Sequence, residues 1–372
     1  MASGHRLAGR ALVVARAFTA RISSPGLTAA PKDPRRILVA HHLLLGDTLM
    51  LTPLLAKLRA LHPQAKIILL ADPAFVPLYA TQPYGVRALP FEPRDTASVS
   101  ALLRETPVDL AIVPGDNRFS WLAAAMGARH IVAHAGDRPA SKNWFIDDLR
   151  PYPSTPSAWG DMVAALVEGP EPAPFTRGDW PAPEARAFDA PTAPYAVLHV
   201  GASTSLKRWG PERWAEIARE LERRGITPVW SAGAKETALV AECDPEGRYP
   251  SFAGKLDLAQ LWQLLAGATV LLSPDTGVAH LGRLAFVPTV TLYGPGSSVI
   301  VGRGRFWRDT PGRDVTIDPF ACRDQKILFR REIEWVRRCG RSLAECPEPR
   351  CMQALTPQAV LEAMGAVASG RR

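Results

Sequence analysis

TVLLSPDTGVAHLGRLA, residues 269–285, reads as a strand that delivers Asp275, Thr276 and Gly277 to the first turn of a helix. Free backbone N–H groups and the positive end of the helix dipole favour an anion at such a junction. A phosphate-bearing ligand is its natural guest.

Outward from this stretch the same alternation repeats. Residues 195–200, 227–231, 269–273 and 289–293 have the composition of strands, and 211–224, 258–266 and 278–285 that of helices. The first half does likewise, with strand-like runs at 37–41, 67–71, 110–113 and 131–134 and helical patterns at 51–61 and 121–126. Alternation of this kind predicts βαβ units and a parallel sheet covered by helices on both faces. Seven prolines between residues 169 and 194 break the pattern and mark a linker. The expected organisation is an extension over 1–32, a domain over 33–168, the linker over 169–194, a second domain over 195–352 and a C-terminal helix over 353–372 that packs back on the first domain. The fold class is α/β, two Rossmann-like doubly wound domains facing across a cleft. Such sheets bind ligands beyond the carboxyl ends of their strands.

With 47% hydrophobic and 22% charged residues, the 372-residue chain has the composition of a soluble protein. No apolar run approaches the roughly 18 residues of a membrane span. The net charge of +8 is uneven: residues 1–32 hold Arg6, Arg10, Arg16, Arg21 and Lys32 and no acid. A helix over residues 7–22 places Leu7, Ala11, Val14, Phe18 and Ile22 on one face, with Arg6, Arg10 and Arg21 along its flank. Residues 6–22 therefore read either as a surface for an anionic membrane or as a disordered leader. Nothing in the charge pattern of the body asks for nucleic acid. Cys243 is isolated, while Cys322, Cys339, Cys346 and Cys351 come late and lack the CxxC pairs of a standard zinc module. Reduced structural thiols lead, with a four-cysteine metal site or a disulfide as alternatives.

Three further groups of residues follow strands. Gly46-Asp47 comes after the first strand: glycine suits a tight turn, and Asp47 either caps a helix or acts as a general base. His41 and His42, just before, lack metal-ligand company and read as strand-end residues. Gly201-Ala-Ser-Thr-Ser-Leu-Lys-Arg-Trp209 opens the second domain. Its small residues, Ser203 and Thr204 among them, leave the backbone approachable, and Lys207 is a compact cation suited to a phosphate oxygen or a solvated residue leading into a helix. Glu236, in Gly233-Ala-Lys-Glu236, either accepts hydrogen bonds from ribose hydroxyls or serves as a favourable first-turn charge. His280 either helps bind phosphate or is a satisfied core histidine. The first strand lacks GxGxxG, and neither GxxxxGK[ST] nor Asp-x-Asp occurs. A dehydrogenase, a P-loop NTPase and a metal-bridged transferase all lose ground, and no metal site is expected.

In this order and spacing the blocks resemble glycosyltransferase family 9, the heptosyltransferases of lipopolysaccharide core synthesis. The likeness runs from about Arg35 to Met364 and includes Gly46-Asp47, Gly201 with Lys207 and Trp209, Gly233 with Glu236, Asp275 to His280, and Pro288 to Gly294. It is weakest in the basic tail and over residues 318–351. The resemblance implies a GT-B fold, with acceptor bound by the first domain and nucleotide sugar by the second. It implies an inverting, metal-independent transfer of a heptose from ADP-heptose to a lipopolysaccharide-core or similar surface-glycan acceptor, with no cofactor besides the donor. Asp47 then is the base, Gly46 shapes the acceptor-side loop, and Ser203, Thr204, Lys207, Glu236, Asp275, Thr276, Gly277 and His280 bind the donor. A glycolipid acceptor implies a cytoplasmic enzyme, peripheral on the inner face of the plasma membrane. The alternatives are the same fold with another nucleotide sugar, and a non-catalytic nucleotide- or glycan-binding protein.

Overall fold

A computed structural model describes residues 2–191 and 194–369. The side chains of residues 2–7 and 369 lie outside the described residues, among them Arg6 and Leu7 of the expected membrane face. So do Thr192 and Ala193 of the expected linker. The chain forms two compact units, residues 1–173 with 327–335, and residues 174–326 with 336–372.

The first unit opens with α1 (Ala2–Ser23). It continues through β1 (Arg36–Val39), α2 (Leu45–Leu49), α3 (Thr52–Leu61), β2 (Lys66–Ala71), β3 (Val86–Pro90), α4 (Thr96–Leu102), β4 (Leu110–Val113), α5 (Phe119–Ala125), β5 (His130–His134), β6 (Asp148–Arg150) and α6 (Trp159–Ala164). Its six strands make one parallel sheet in the order β3-β2-β1-β4-β5-β6. The winding reverses between β1 and β4, where a doubly wound sheet opens its crevice. β4 and β5 are buried at every position, the mark of strands covered on both faces.

The second unit runs through β7 (Tyr195–His199), α7 (Pro211–Arg223), β8 (Thr227–Ser231), α8 (Thr237–Cys243), α9 (Leu258–Gly267), β9 (Val270–Pro274), α10 (Gly277–Leu284), β10 (Thr289–Tyr293), α11 (Ser298–Val301) and β11 (Gly312–Thr316). These strands too are all parallel, in the order β8-β7-β9-β10-β11, so here the winding reverses between β7 and β9. α7 starts with Pro211, whose missing N–H is not needed in a first turn, and buries Trp214, Ile217, Ala218 and Leu221 along one stripe. The two-sheet architecture is that of the GT-B class.

The expected domain plan changes in three places. The proline-rich stretch is no free linker. From Pro174 it belongs to the second unit, where Phe175 and Trp180 are buried, Phe175 N–H donates to Phe306 O at 2.8 Å, and Trp180 stacks on Trp262. Proline prevents regular structure there but not packing. After β11 a hairpin of β12 (Ile327–Leu328) and β13 (Arg331–Glu332) is part of the first unit, so the second domain is interrupted. The closing helices, α12 (Arg350–Gln353) and α13 (Pro357–Ser369), belong to the second unit. Val360, Met364 and Val367 fall on one face of α13 and join the core formed by Trp209, Trp214 and Leu292, which gives that face its partner.

The opening motif forms as expected, with β9 leading through Asp275 and Thr276 into α10. Gly282 lets α10 lie close on the sheet: a Cβ there would stand 2.6 Å from Leu271 Cδ2 and 2.8 Å from Thr289 Oγ1. Among the described residues no helix is long and apolar enough to cross a membrane. Replacing Gly282 by leucine is expected to lower stability by about 1–3 kcal/mol through overpacking. Urea unfolding would register this as a lower midpoint at unchanged slope; an unchanged midpoint would mean that the helix does not need this approach.

Candidate nucleotide-sugar site

Because the winding of the second unit reverses between β7 and β9, the loops that follow these strands diverge from neighbouring ends and leave a crevice. One ion pair joins them. Lys207 Nζ donates to Asp275 O at 2.7 Å and to Asp275 Oδ2 at 2.8 Å, with both side chains largely withdrawn from solvent. An ammonium has three N–H donors, so two are committed to Asp275 and one remains for a ligand. Thr276 precedes the first turn of α10 in extended conformation and makes no side-chain cap; its hydroxyl lies 3.2 Å from Ser273 Oγ. The first-turn N–H groups of α10 begin at Gly277.

The loop after β7 is shaped from both ends. Thr204 Oγ1 accepts from Leu206 N–H at 3.3 Å and caps the 3₁₀ turn Ser205–Lys207 that presents the lysine, while Ser203 is exposed. Trp209 is buried and donates through Nε1 to Leu355 O at 2.9 Å, which pins the loop to the turn before α13.

Glu236 ties this loop to the one after β8. Ala202 N–H donates to Oε1 at 2.8 Å and Gly233 N–H to Oε2 at 3.2 Å. The glycines of both blocks make room for the carboxylate: a Cβ on Gly201 would overlap Oε2, and one on Gly233 would lie 2.8 Å from it. A carboxylate offers about four lone-pair positions, so two remain for incoming hydroxyls.

His280 is buried on α10, its Nδ1 3.3 Å from an Arg283 nitrogen. Burial first, then the charges of Arg283 and Lys207, hold its pKa well below the usual value, so it is neutral. Arg283 went unnoticed in the sequence. Its guanidinium is buried and donates to Val301 O (3.1 Å), Gly302 O (3.2 Å) and Tyr293 Oη (2.9 Å), tying α10 to the ends of β10 and α11.

Asp47 and Gly46 lie in the first unit, after β1. Neither forms the expected turn or cap: Leu44 holds the N-cap position, and Gly46 and Asp47 are already helical in the first turn of α2. Three leucines precede the glycine and let the helix begin earlier than a Gly-Asp pair suggests. Asp47 is part-buried there. His41, fully buried, accepts from Leu43 N–H at 3.2 Å through Nδ1 and shapes the loop; burial, then the charge of His42, lowers its pKa to about 3.

A buried network borders the loops after β4 and β5. Asp116 meets Lys142 at 2.9 Å, and Lys142 meets Asp137 at 3.1 Å. Arg331, on β13, donates to Gly115 O, Ala135 O (both 2.9 Å) and Asn117 Oδ1 (2.7 Å), and stands 3.6 Å from Asp137. The hairpin that carries it turns through Phe329 and Arg330, both at positive φ (45° and 64°). Two-residue turns of that kind are normally marked by Asn-Gly, so the sequence carried no signal.

All five cysteines are free thiols. Cys322, Cys339, Cys346 and Cys351 line one cavity of about 80 Å³ beside Leu206. Burial raises the Cys351 thiol, and raises Cys243 to about 12. Among the described residues no three His, Cys, Asp or Glu side chains are placed to share a metal ion.

The family model "Glycosyltransferase family 9 (heptosyltransferase)" matches residues 102–303, more than half of the chain. The chain belongs to glycosyltransferase family 9. It is similar to lipopolysaccharide heptosyltransferase 1 of Pseudomonas aeruginosa, 26% identical over 366 residues that cover 88% of this chain and 98% of the relative. Among solved structures it is similar to a family 9 glycosyltransferase from Veillonella parvula, with TM-score 0.71, 19% identity and coverage of 92% and 100% of the two chains. It is also similar to Escherichia coli ADP-heptose lipopolysaccharide heptosyltransferase II, with TM-score 0.67, 20% identity and coverage of 91% and 99%. As a family 9 glycosyltransferase the chain is an enzyme, and its matched region takes in the loops of Lys207, Glu236 and Asp275.

Buried histidines in both units set a pH dependence. Burial lowers His199 to about 4 and His41 to about 3, and lowers His280 further below its ordinary value. The unfolded chain takes up these protons below pH ~6.5, whereas the folded chain does not. Stability is therefore level above that pH and falls as pH drops from ~6.5 toward 4, by about 1.4 kcal/mol per pH unit for each histidine. Urea midpoints at a series of pH values should show this loss, with the slope reduced by about one proton in His199→Asn. A slope identical in the variant would show that His199 is not buried neutral.

Proposed function

We propose that this family 9 enzyme moves a heptose from ADP-heptose to a lipopolysaccharide-core acceptor, with inversion at the anomeric carbon, on the cytoplasmic side of the membrane. The observation that carries the reading is the pairing of Lys207 with Asp275 at the β7–β9 reversal, beside the Glu236 clamp. A cation with one uncommitted donor and a helix start with unpaired N–H groups suit a diphosphate. A carboxylate with two uncommitted lone pairs suits a ribose diol. Support for the sugar comes from the relatives, one named a lipopolysaccharide heptosyltransferase and the other an ADP-heptose heptosyltransferase.

In this mechanism Asp47 takes the proton of an acceptor hydroxyl as its oxygen attacks the anomeric carbon. The bond to the diphosphate oxygen breaks as the new bond forms, through an oxocarbenium-like state, and a single displacement inverts the centre. Charge develops on the departing diphosphate. Lys207, Thr276 and the N–H groups at Gly277 meet that charge without rearrangement, since Asp275 already holds the lysine in place. His280 stays neutral and supports α10, and Ser203 and Thr204 keep the loop open to the donor.

Asp47→Asn is expected to lower kcat by about 10²- to 10⁴-fold while leaving the ADP dissociation constant within about twofold. Near-normal turnover in this variant would remove Asp47 as the base. Glu236→Ala should weaken ADP and adenosine alike by about tenfold or more, whereas Lys207→Met should weaken ADP much more than adenosine. Calorimetry that finds both ligands unaffected in both variants would place the donor elsewhere.

A further inference from the structure

The N-terminal helix α1 sits on the first unit in an unusual orientation. Its small residues face inward: Gly9 and Ala17 are buried against α4 and α5, and Leu12 and Val13 pack on the core. Arg21 fixes the far end, donating to Asp147 Oδ2 at 2.7 Å and Phe145 O at 2.8 Å. The bulky apolar residues point out. Val14 is 41% exposed, Phe18 44% and Ile22 80%, with Ala11 and Ala15 exposed in the same stripe. Trp144, 65% exposed, extends this face: Trp121 packs against both Phe18 and Trp144, with centroids 5.7 and 5.8 Å away. Arg10 is exposed along one flank of the stripe, and Arg16 is exposed further round the helix.

A helix docked for stability alone would turn its large apolar side chains inward. Here the inward contact is made by Gly9, Leu12, Val13 and Ala17, while Val14, Phe18 and Ile22 present an apolar stripe to the outside with exposed guanidinium groups on the same helix. We propose that this face of α1, together with Trp144, binds the surface of an anionic lipid bilayer. The charge pattern selects the occupant. The first 32 residues carry five basic and no acidic groups, so they complement anionic headgroups. A second copy docking face to face would bring two basic, acid-free segments of like charge together. The apolar stripe enters the headgroup boundary, Trp144 lies at its level, and the long arginine side chains reach toward the phosphates.

The test is co-sedimentation of the full chain with phosphatidylglycerol-rich and with pure phosphatidylcholine vesicles. The expected result is binding to the anionic vesicles that is weak on the neutral ones and is reversed by salt. Arg10→Gln/Arg16→Gln should lower the partition constant about thirtyfold, and Val14→Ser/Ile22→Ser about tenfold or more, with unchanged melting temperatures. These positions are exposed, so folding is preserved; Phe18, which touches Trp121 and Phe145, is left intact. Equal recovery with both vesicle types, or variants that bind like the parent, would overturn the proposal. A dimer in sedimentation velocity that Val14→Ser/Ile22→Ser disperses, without vesicle binding, would overturn it in favour of a second copy.

Discussion

The contact between Lys207 and Asp275 organises the second unit's site, because it joins two loops that leave neighbouring strands in opposite directions. Without it an aspartate that is largely withdrawn from solvent would face the crevice unpaired, an arrangement that costs several kcal/mol. The lysine binds both the side chain and the main-chain carbonyl of Asp275, so the start of α10 and the 3₁₀ turn after β7 are set relative to each other. Glu236 does the same between the loops after β7 and β8, through two backbone N–H donors and two glycines that leave it space. Three strand ends are thus braced by two charged side chains, each with hydrogen-bonding capacity left over.

The first unit is braced differently. Arg331 arrives from a segment almost two hundred residues further along the chain and closes the loops after β4 and β5 by donating to their carbonyls. The guanidinium suits this work because its five donors diverge in a plane and its charge persists at any working pH. The hairpin that delivers it makes the two units interdependent in sequence, since residues of the first are completed only after most of the second has been made.

The regular parts of this fold were legible because their causes are local. Apolar runs such as 110–113, 227–231 and 289–293 form strands at the expected residues, and Pro211 and the stripe from Trp214 to Leu221 mark α7. The blocks around Lys207, Glu236 and Asp275 stood out because glycine and charge together after a strand are unusual. What stayed hidden depends on distant partners. Nothing near Glu236 says that its carboxylate will grip Ala202 N–H, and nothing near Phe329 announces a turn at positive φ; Trp159, whose ring lies 4.7 Å from that of Phe329, helps to hold it there. The proline-rich stretch misled for a related reason. Proline forbids helix and strand but leaves side chains such as Phe175 and Trp180 free to pack. Gly46-Asp47 misled because a helix can begin on leucine when tertiary contacts, rather than a cap, supply its stability.

The central claim is that the loops after β7, β8 and β9 hold an ADP-sugar whose heptose is displaced in one inverting step. Its most direct test is to incubate the enzyme with ADP-heptose and a heptose-free lipopolysaccharide-core acceptor and to read the anomeric configuration of the product by NMR. The account predicts a heptosylated acceptor whose new linkage has the configuration opposite to that of the donor. Retention of configuration, or no transfer from ADP-heptose when another nucleotide sugar is consumed, would contradict it.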